Sequence, residues 1–416
     1  MKKSKHVFIA GLGTLFETFD FYLFSLFLVA FNYSLFGSID KRPVLWTVLI
    51  FAVGYLARII GALIFGYWGD KVGRLYSFRK TILIMAVSSI IIGLSPTYKS
   101  VGILALIFLI VMRFIQGISY GGEMSGAIII ITERCNKNRP IYIMCIALMS
   151  MIGVLLAQST YWALSNIMSY DNLLDYGWRI AYLFGGIMLF YSYFLRRYIS
   201  GSDDLKLSIR TRTHSNPILN MLKNHKGVLV LGVFSVVGLQ LFWGAYMVYF
   251  PSFITLKFTN INIFNHLYYI SLIGLIIGRV IGGVIANYTS IRSVYSLATA
   301  GSLLIIMPIY YSIIGLTAGH LFAFYILLLI FSIAQGVSGV LYLLMWSIRF
   351  PVECRYTLVS TVYAISAFMF IALPPFVFSC FTRENSMYYS MLILVIGYIV
   401  QLVSVQFFYK KTEIFV

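Results

Sequence analysis

Gly66-Tyr67-Trp68-Gly69-Asp70-Lys71-Val72-Gly73-Arg74 sets one acid beside two cations between two long apolar runs, near residues 44–68 and 80–95. Gly73 allows a tight turn with positive φ. The stretch therefore reads as a short polar loop joining two membrane spans. Asp70 at such a surface can approach a helix N-terminus and pair with an arginine in only one conformation. The other reading is an ordinary basic loop that fixes topology.

Working outward, apolar runs of this kind recur along all 416 residues, which are 60% hydrophobic and 11% charged, with a mean hydropathy of +0.90. A soluble chain would need roughly twice that charged fraction to cover its surface. A span needs about 20 mainly apolar residues, and in lipid only helices or closed barrels satisfy their backbone. The runs do not alternate with period two, so helices are expected and a barrel is not. Spans are predicted near 7–32, 44–68, 80–95, 101–132, 141–165, 179–197, 227–250, 266–287, 294–314, 319–346, 357–380 and 388–408. The basic start Met1-Lys2-Lys3-Ser4-Lys5 resembles a signal peptide, but Glu17 and Asp20 interrupt the apolar region behind it. An uncleaved first span is expected.

The net charge of +18 does not point to nucleic acid, because the cations lie in short loops between apolar runs. Of the 31 Lys and Arg, 22 fall on one side of the twelve-span arrangement. Six fall opposite, namely Lys41, Arg42, Lys99, Arg179, Lys257 and Arg383, while Arg58, Arg113 and Arg279 lie inside spans. The positive-inside rule then puts both termini in the cytoplasm of a bacterial inner membrane. Cys135, Cys145, Cys354 and Cys380 form no CxxC pair and no metal-ligand spacing, so neither a disulfide framework nor a metal is expected. No Walker loop or nucleophile elbow is found, and the five histidines lie in tails, loops or span ends; enzyme chemistry and cofactors are not expected.

Residues 198–226 are the longest hydrophilic stretch and read as a cytoplasmic linker between six-helix bundles at 1–197 and 227–416. The halves echo each other. Ile115-Gln116-Gly117-Ile118-Ser119 resembles Ala334-Gln335-Gly336-Val337-Ser338 at an offset of 219, and Asp70 corresponds to Asn287 at 217. Two matches at nearly one offset suggest a duplicated unit.

The motif Gly66…Arg74 resembles the signature loop of the major facilitator superfamily. Glu17-Thr18-Phe19-Asp20-Phe21, Arg58-Ile59-Ile60-Gly61 and Arg113-Phe114-Ile115-Gln116-Gly117-Ile118-Ser119 with Gly121-Gly122-Glu123 resemble segments of its metabolite:proton symporters. So do Gly177-Trp178-Arg179 and Phe350-Pro351 with Arg355-Tyr356-Thr357. Thr18, Ile59 and Met124 depart from the usual residues. The resemblance implies an all-α membrane protein of twelve transmembrane helices in two six-helix halves, working by alternating access. It implies proton-coupled symport of a proline- or betaine-like zwitterion first and a carboxylate metabolite second. The partners are then a small solute, protons and the bilayer, with a monomer sufficient. An uncoupled facilitator or a non-transporting receptor is the alternative class. Proline/betaine carriers of the family bear a long C-terminal extension; the few residues after the last span here imply that osmotic regulation of that form is not expected.

The residues themselves support part of this. An ionised carboxylate at mid-membrane costs about 2.5–3.5 kcal/mol on insertion scales, so such groups face a cavity or a partner. Glu17 and Asp20 share a helix face and are the candidate proton carriers; a static ion pair with Arg58 or Arg113 is the other reading. Arg113, Gln116, Tyr120 and Glu123 form one polar face, either solute-lining or a hydrogen-bonded seam. Gln240, Trp243 and Tyr246 form a second face, where an aromatic could hold an ammonium group or merely pack. Arg279 either binds a carboxylate or snorkels to the cytoplasm. With Arg58 and Gln335 these complete the candidate solute contacts. The candidate gate comprises Gly66, Asp70, Lys71, Gly73, Arg74, Glu133 and Arg355. The resemblance implies that Asp70 caps the start of span eleven near Tyr356 and Thr357, and that Arg74 pairs with Glu133.

Overall fold

The computed structural model describes residues 2–27, 30–31, 33–34, 43–135, 137–199, 216–244, 261–314, 321–374 and 383–413. The described residues are helical, with no strand among them. The long helices are α1 (Lys2–Leu26), α2 (Pro43–Lys71), α3 (Arg74–Gly93), α4 (Ile103–Arg134), α5 (Arg139–Ile167) and α6 (Trp178–Leu195). They continue with α7 in two pieces (Lys226–Phe234 and Val237–Gly244), α8 (Ile261–Ile285), α9 (Ile291–Ile314), α10 (Leu321–Arg349), α11 (Arg355–Ala367) and α12 (Arg383–Thr412). Among the described residues, eleven spans are long and apolar enough to cross a bilayer by themselves, and α7 is a twelfth when its pieces are taken together.

Two local expectations need correction, and a third gains detail. The polar stretch after the second span is hardly a loop: α2 runs through Asp70 to Lys71, and only Val72 and Gly73 separate it from α3. Gly73, at φ 148°, makes the whole reversal. Span seven is not one straight helix, because its pieces meet at 48°. The cause lies at Ser235, whose carbonyl accepts from the Tyr295 hydroxyl at 2.7 Å. The amide of Leu239, which would have bonded that carbonyl, donates instead to the Gln401 side chain at 3.0 Å. Inserted side chains of this kind bend a helix without proline. Finally, the linker contains a helix, Pro217–Asn224, started by Asn216 Oδ1 accepting from the Ile218 amide at 3.0 Å.

Contacts divide the chain into two compact units. One comprises Met1–Arg134, Met149–Asn224 and Val352–Ala364; the other comprises Cys135–Leu148, His225–Pro351 and Ile365–Val416. In the first, α2 packs on α4, α3 on α4 and α6, and α1 on α6. In the second, α8 packs on α10, α9 on α10 and α12, and α7 on α12. Every pairing recurs six helices later. The sequence repeat recurs with it: Gln116 Nε2 donates to Ser89 Oγ at 2.9 Å, and Gln335 Nε2 to Ser302 Oγ at 2.8 Å.

Small residues set these crossings. A Cβ on Gly117 would strike the Gly54 carbonyl of α2, and one on Gly336 the Leu275 carbonyl of α8. Backbones in lipid approach closely through such positions. Gly117→Leu is expected to cost about 1–3 kcal/mol by overpacking, read as a lower melting temperature of the detergent-purified protein.

Candidate functional site

The first unit buries three carboxylates and three arginines along its spans, each 2% exposed or less: Glu17, Asp20, Glu123, Arg58, Arg113 and Arg196. They fall into two groups. Arg196, just past the end of α6, donates from Nη1 to Glu123 Oε2 at 2.9 Å and from Nη2 to Glu123 Oε1. It also donates to the Phe78 carbonyl, and Thr81 Oγ1 donates to Glu123 Oε2 at 2.5 Å. This pair closes on itself. Its room comes from Gly13 of α1, where a Cβ would strike the Arg196 guanidinium.

The second group is less satisfied. Arg113 Nη1 donates to Gln116 Oε1 at 2.9 Å, and Gln116 Nε2 donates to Asp20 Oδ2 at 2.7 Å. Gln116 thus stands between the arginine and the aspartate, and no ion pair within 4.0 Å joins Asp20 or Glu17 to an arginine among the described residues. Both carboxylate oxygens of Glu17, and Oδ1 of Asp20, meet no hydrogen-bond partner there. The charged groups acting on Glu17 are Glu123, Arg58, Arg196 and Asp20.

Arg58 sits in an aromatic cage. Its guanidinium lies 4.1 Å from the Phe21 ring centroid, 4.0 Å from Tyr55 and 3.6 Å from Tyr120. Arg113 lies 4.2 Å from Phe24 and 5.0 Å from the same Phe21. Ring faces attract such cations, which helps to hold both guanidinium groups in place. Nε and Nη2 of each arginine remain without a partner among the described residues.

The candidates of the second half are placed differently. Arg279 is 7% exposed and donates to the Ala147 carbonyl of α5, away from the snorkelling alternative. Gln240 Nε2 reaches Ser366 Oγ at 3.5 Å. Trp243 packs against the apolar core formed by Leu241, Phe242, Phe331 and Tyr398, which fits the packing alternative. Tyr246 lies outside the described residues.

At the end of α2, Asp70 Oδ1 accepts from the Tyr356 amide at 3.1 Å, and Oδ2 from the Thr357 amide and hydroxyl, both at 2.8 Å. An acid in the last turn of its own helix is unfavourably placed, and here it caps the first turn of α11 instead. Arg74 forms an ion pair with Glu133 and lies 3.7 Å from Asp70, while Arg355 Nη1 lies 3.8 Å from Glu133. Gly66 lets α2 approach: a Cβ there would meet the Thr357 backbone. Lys71 is not part of this cluster; it is exposed, with its ammonium 5.3 Å from the Tyr67 ring.

Sequence reasoning missed Arg196, counted among the cytoplasmic loop cations because it stands beside Arg197 at a span end. It missed Tyr55 as well, although Tyr55 precedes Arg58 by three residues and so shares its helix face.

Residues 6–200 match the family described as "Sugar (and other) transporter". The chain is 30% identical over 254 residues to the inner membrane metabolite transport protein YhjE of Escherichia coli, an alignment covering 60% of this chain and 58% of that one. It is 27% identical over 243 residues to a citrate-proton symporter of Klebsiella pneumoniae, covering 58% and 54%. It is 29% identical over 221 residues to a putative proline/betaine transporter of Staphylococcus aureus, covering 52% and 47%. The chain thus spans about half the length of the curated relatives it matches. The solved proton:xylose symporter XylE superposes with a TM-score of 0.80 over 99% of this chain and 96% of that one, at 14% identity. Over residues 6–200 the chain is thus similar to that transporter family, in partial alignments to bacterial metabolite transport proteins and symporters, and in fold to XylE.

Proposed function

We propose that the chain is a proton-coupled symporter of a small organic metabolite, a zwitterion or a carboxylate, working by alternating access in a bacterial inner membrane. The carrying observation is Glu17: a fully buried carboxylate of α1 with both oxygens unpartnered among the described residues and arginines within electrostatic reach. A buried carboxylate with no fixed hydrogen-bond partner is free to exchange a proton, as a reversible proton site requires. Asp20, with one oxygen held by Gln116, is the second carrier. Arg58, Arg113 and Gln116 are the solute contacts of the first half, and Gln240, Arg279 and Gln335 are the candidate contacts of the second half taken by itself. Glu123 serves instead as the fixed partner of Arg196. The excess of cations on one side supports cytoplasmic termini. The test is uptake of a labelled solute panel by proteoliposomes with and without an imposed pH gradient. Gradient-dependent accumulation of some member is expected; accumulation of none beyond equilibration points to the uncoupled facilitator.

Asp70, Arg74, Glu133 and Arg355 form the latch that holds the cytoplasmic side closed. Asn287 and Ile291 stand at the corresponding places of the second half, so no symmetric latch opposes it. The cap is worth about 0.5–2 kcal/mol. Asp70→Asn is expected to shift the population several-fold toward the inward-open state, and Asn287→Ala to do little. Thiol labelling of single cysteines at each cavity mouth reads the shift; equal effects of both substitutions contradict the one-latch arrangement.

A further inference from the structure

The buried charges of the first unit restrict what the solute can carry. Glu123 and Arg196 neutralise each other, and Asp70 and Arg74 belong to the cluster at the end of α2. What remains around Phe21 is Arg58 and Arg113 against Glu17 and Asp20. Fully ionised, this quartet is neutral. A proton on either carboxylate leaves one net positive charge in a water-poor interior, where an uncompensated charge is costly.

Each guanidinium also keeps one specific edge open. Nε and Nη2 are the two donors of a fork that matches the two oxygens of a carboxylate, and on both arginines these atoms have no acceptor among the described residues. The faces of the same groups are taken by Phe21, Tyr55, Tyr120 and Phe24. Those rings are therefore already engaged by cations, and an ammonium group brought beside them would meet two like charges.

We propose that the solute is a monoanionic carboxylate, held on the open forks of Arg58 and Arg113, and that it binds together with one proton so that the loaded quartet is again neutral. A zwitterion arriving with a proton would leave the positive charge uncompensated. A dianion would need two protons or leave a negative charge. This rests on the proton-coupled reading above and narrows its solute to one charge class.

Two compounds of nearly one shape separate the cases: 3,3-dimethylbutanoate and glycine betaine, which differ in a quaternary carbon against a quaternary nitrogen. Calorimetric titration of the full chain in lipid nanodiscs with both, and with acetate and lactate, gives affinity. Repeating it in buffers of different ionisation enthalpy gives protons taken up. At least one monocarboxylate is expected to bind with uptake of about one proton, and dimethylbutanoate to exceed betaine by about tenfold or more, the range of a charge-assisted contact. Arg58→Gln is expected to weaken the anion about tenfold or more, and Arg58→Lys, which keeps the charge but loses the fork, to restore it only partly. Tighter binding of betaine, anion binding without proton uptake, or no binding by any monocarboxylate overturns the proposal. Proton-driven accumulation of betaine would overturn it while leaving symport intact, whereas absence of gradient-driven accumulation of every solute removes symport itself.

Discussion

Glu17→Gln is expected to abolish accumulation driven by a pH gradient while exchange of internal for external solute continues. A difference of one pH unit is worth about 1.4 kcal/mol per proton, so a single coupled proton supports about tenfold accumulation per unit. The amide keeps the size and the polar character of the side chain but binds no transferable proton. With Glu17 unpartnered in the structure, the substitution breaks no hydrogen bond among the described residues. The variant should therefore fold, exchange solute, and settle at a concentration ratio of about one. Proteoliposomes loaded with unlabelled solute measure exchange, and the same vesicles with an acid exterior measure accumulation. Asp20→Asn is expected to behave alike but with weaker exchange, since Asp20 is tied to Gln116 at 2.7 Å and through it to Arg113. Equal loss of both activities in a well-folded Glu17→Gln protein would favour a static structural charge.

The largest stability effect is expected at Arg196. Removing one partner of a buried ion pair leaves the other charge uncompensated, at a cost of about 3–5 kcal/mol. Arg196→Gln strands Glu123, which then retains only the Thr81 hydroxyl among the partners described for it. A fall in melting temperature and in membrane yield should follow. Glu123→Gln in the same chain removes the stranded charge and should recover most of the loss, a coupling that two independent sites would not show. A mild effect of Arg196→Gln, additive with Glu123→Gln, would mean that the pair does not hold the first unit together.

Local signals carried most of the fold. Apolar run length set the spans, and the near-constant offset between Gln116 and Gln335 is matched by the same hydrogen bond to Ser89 and to Ser302. The α7 bend was hidden because its cause is remote: Gln401 and Tyr295 take the backbone groups around Ser235, and no proline stands there to mark it. The site was legible in part for the same reason. Arg113 and Gln116 lie one turn apart, so their contact follows from spacing. The contact of Gln116 with Asp20 joins two helices and does not. Arg196 was misread because a cation beside Arg197 at a span end has the local pattern of a loop residue. Its burial depends on space left by Gly13, on another helix. The cage around Arg58 likewise gathers Phe21, Tyr55 and Tyr120 from three helices.

Proton movement on solute addition tests the symport most directly. Proteoliposomes without any imposed gradient are placed in weakly buffered medium, a transported solute is added outside, and external pH is followed with the membrane potential clamped. Entry of solute with a proton makes the medium more alkaline, at about one proton per solute, and Glu17→Gln gives none. Solute entry with no pH change in the wild-type protein, or the same alkalinisation in Glu17→Gln, would contradict proton coupling through α1.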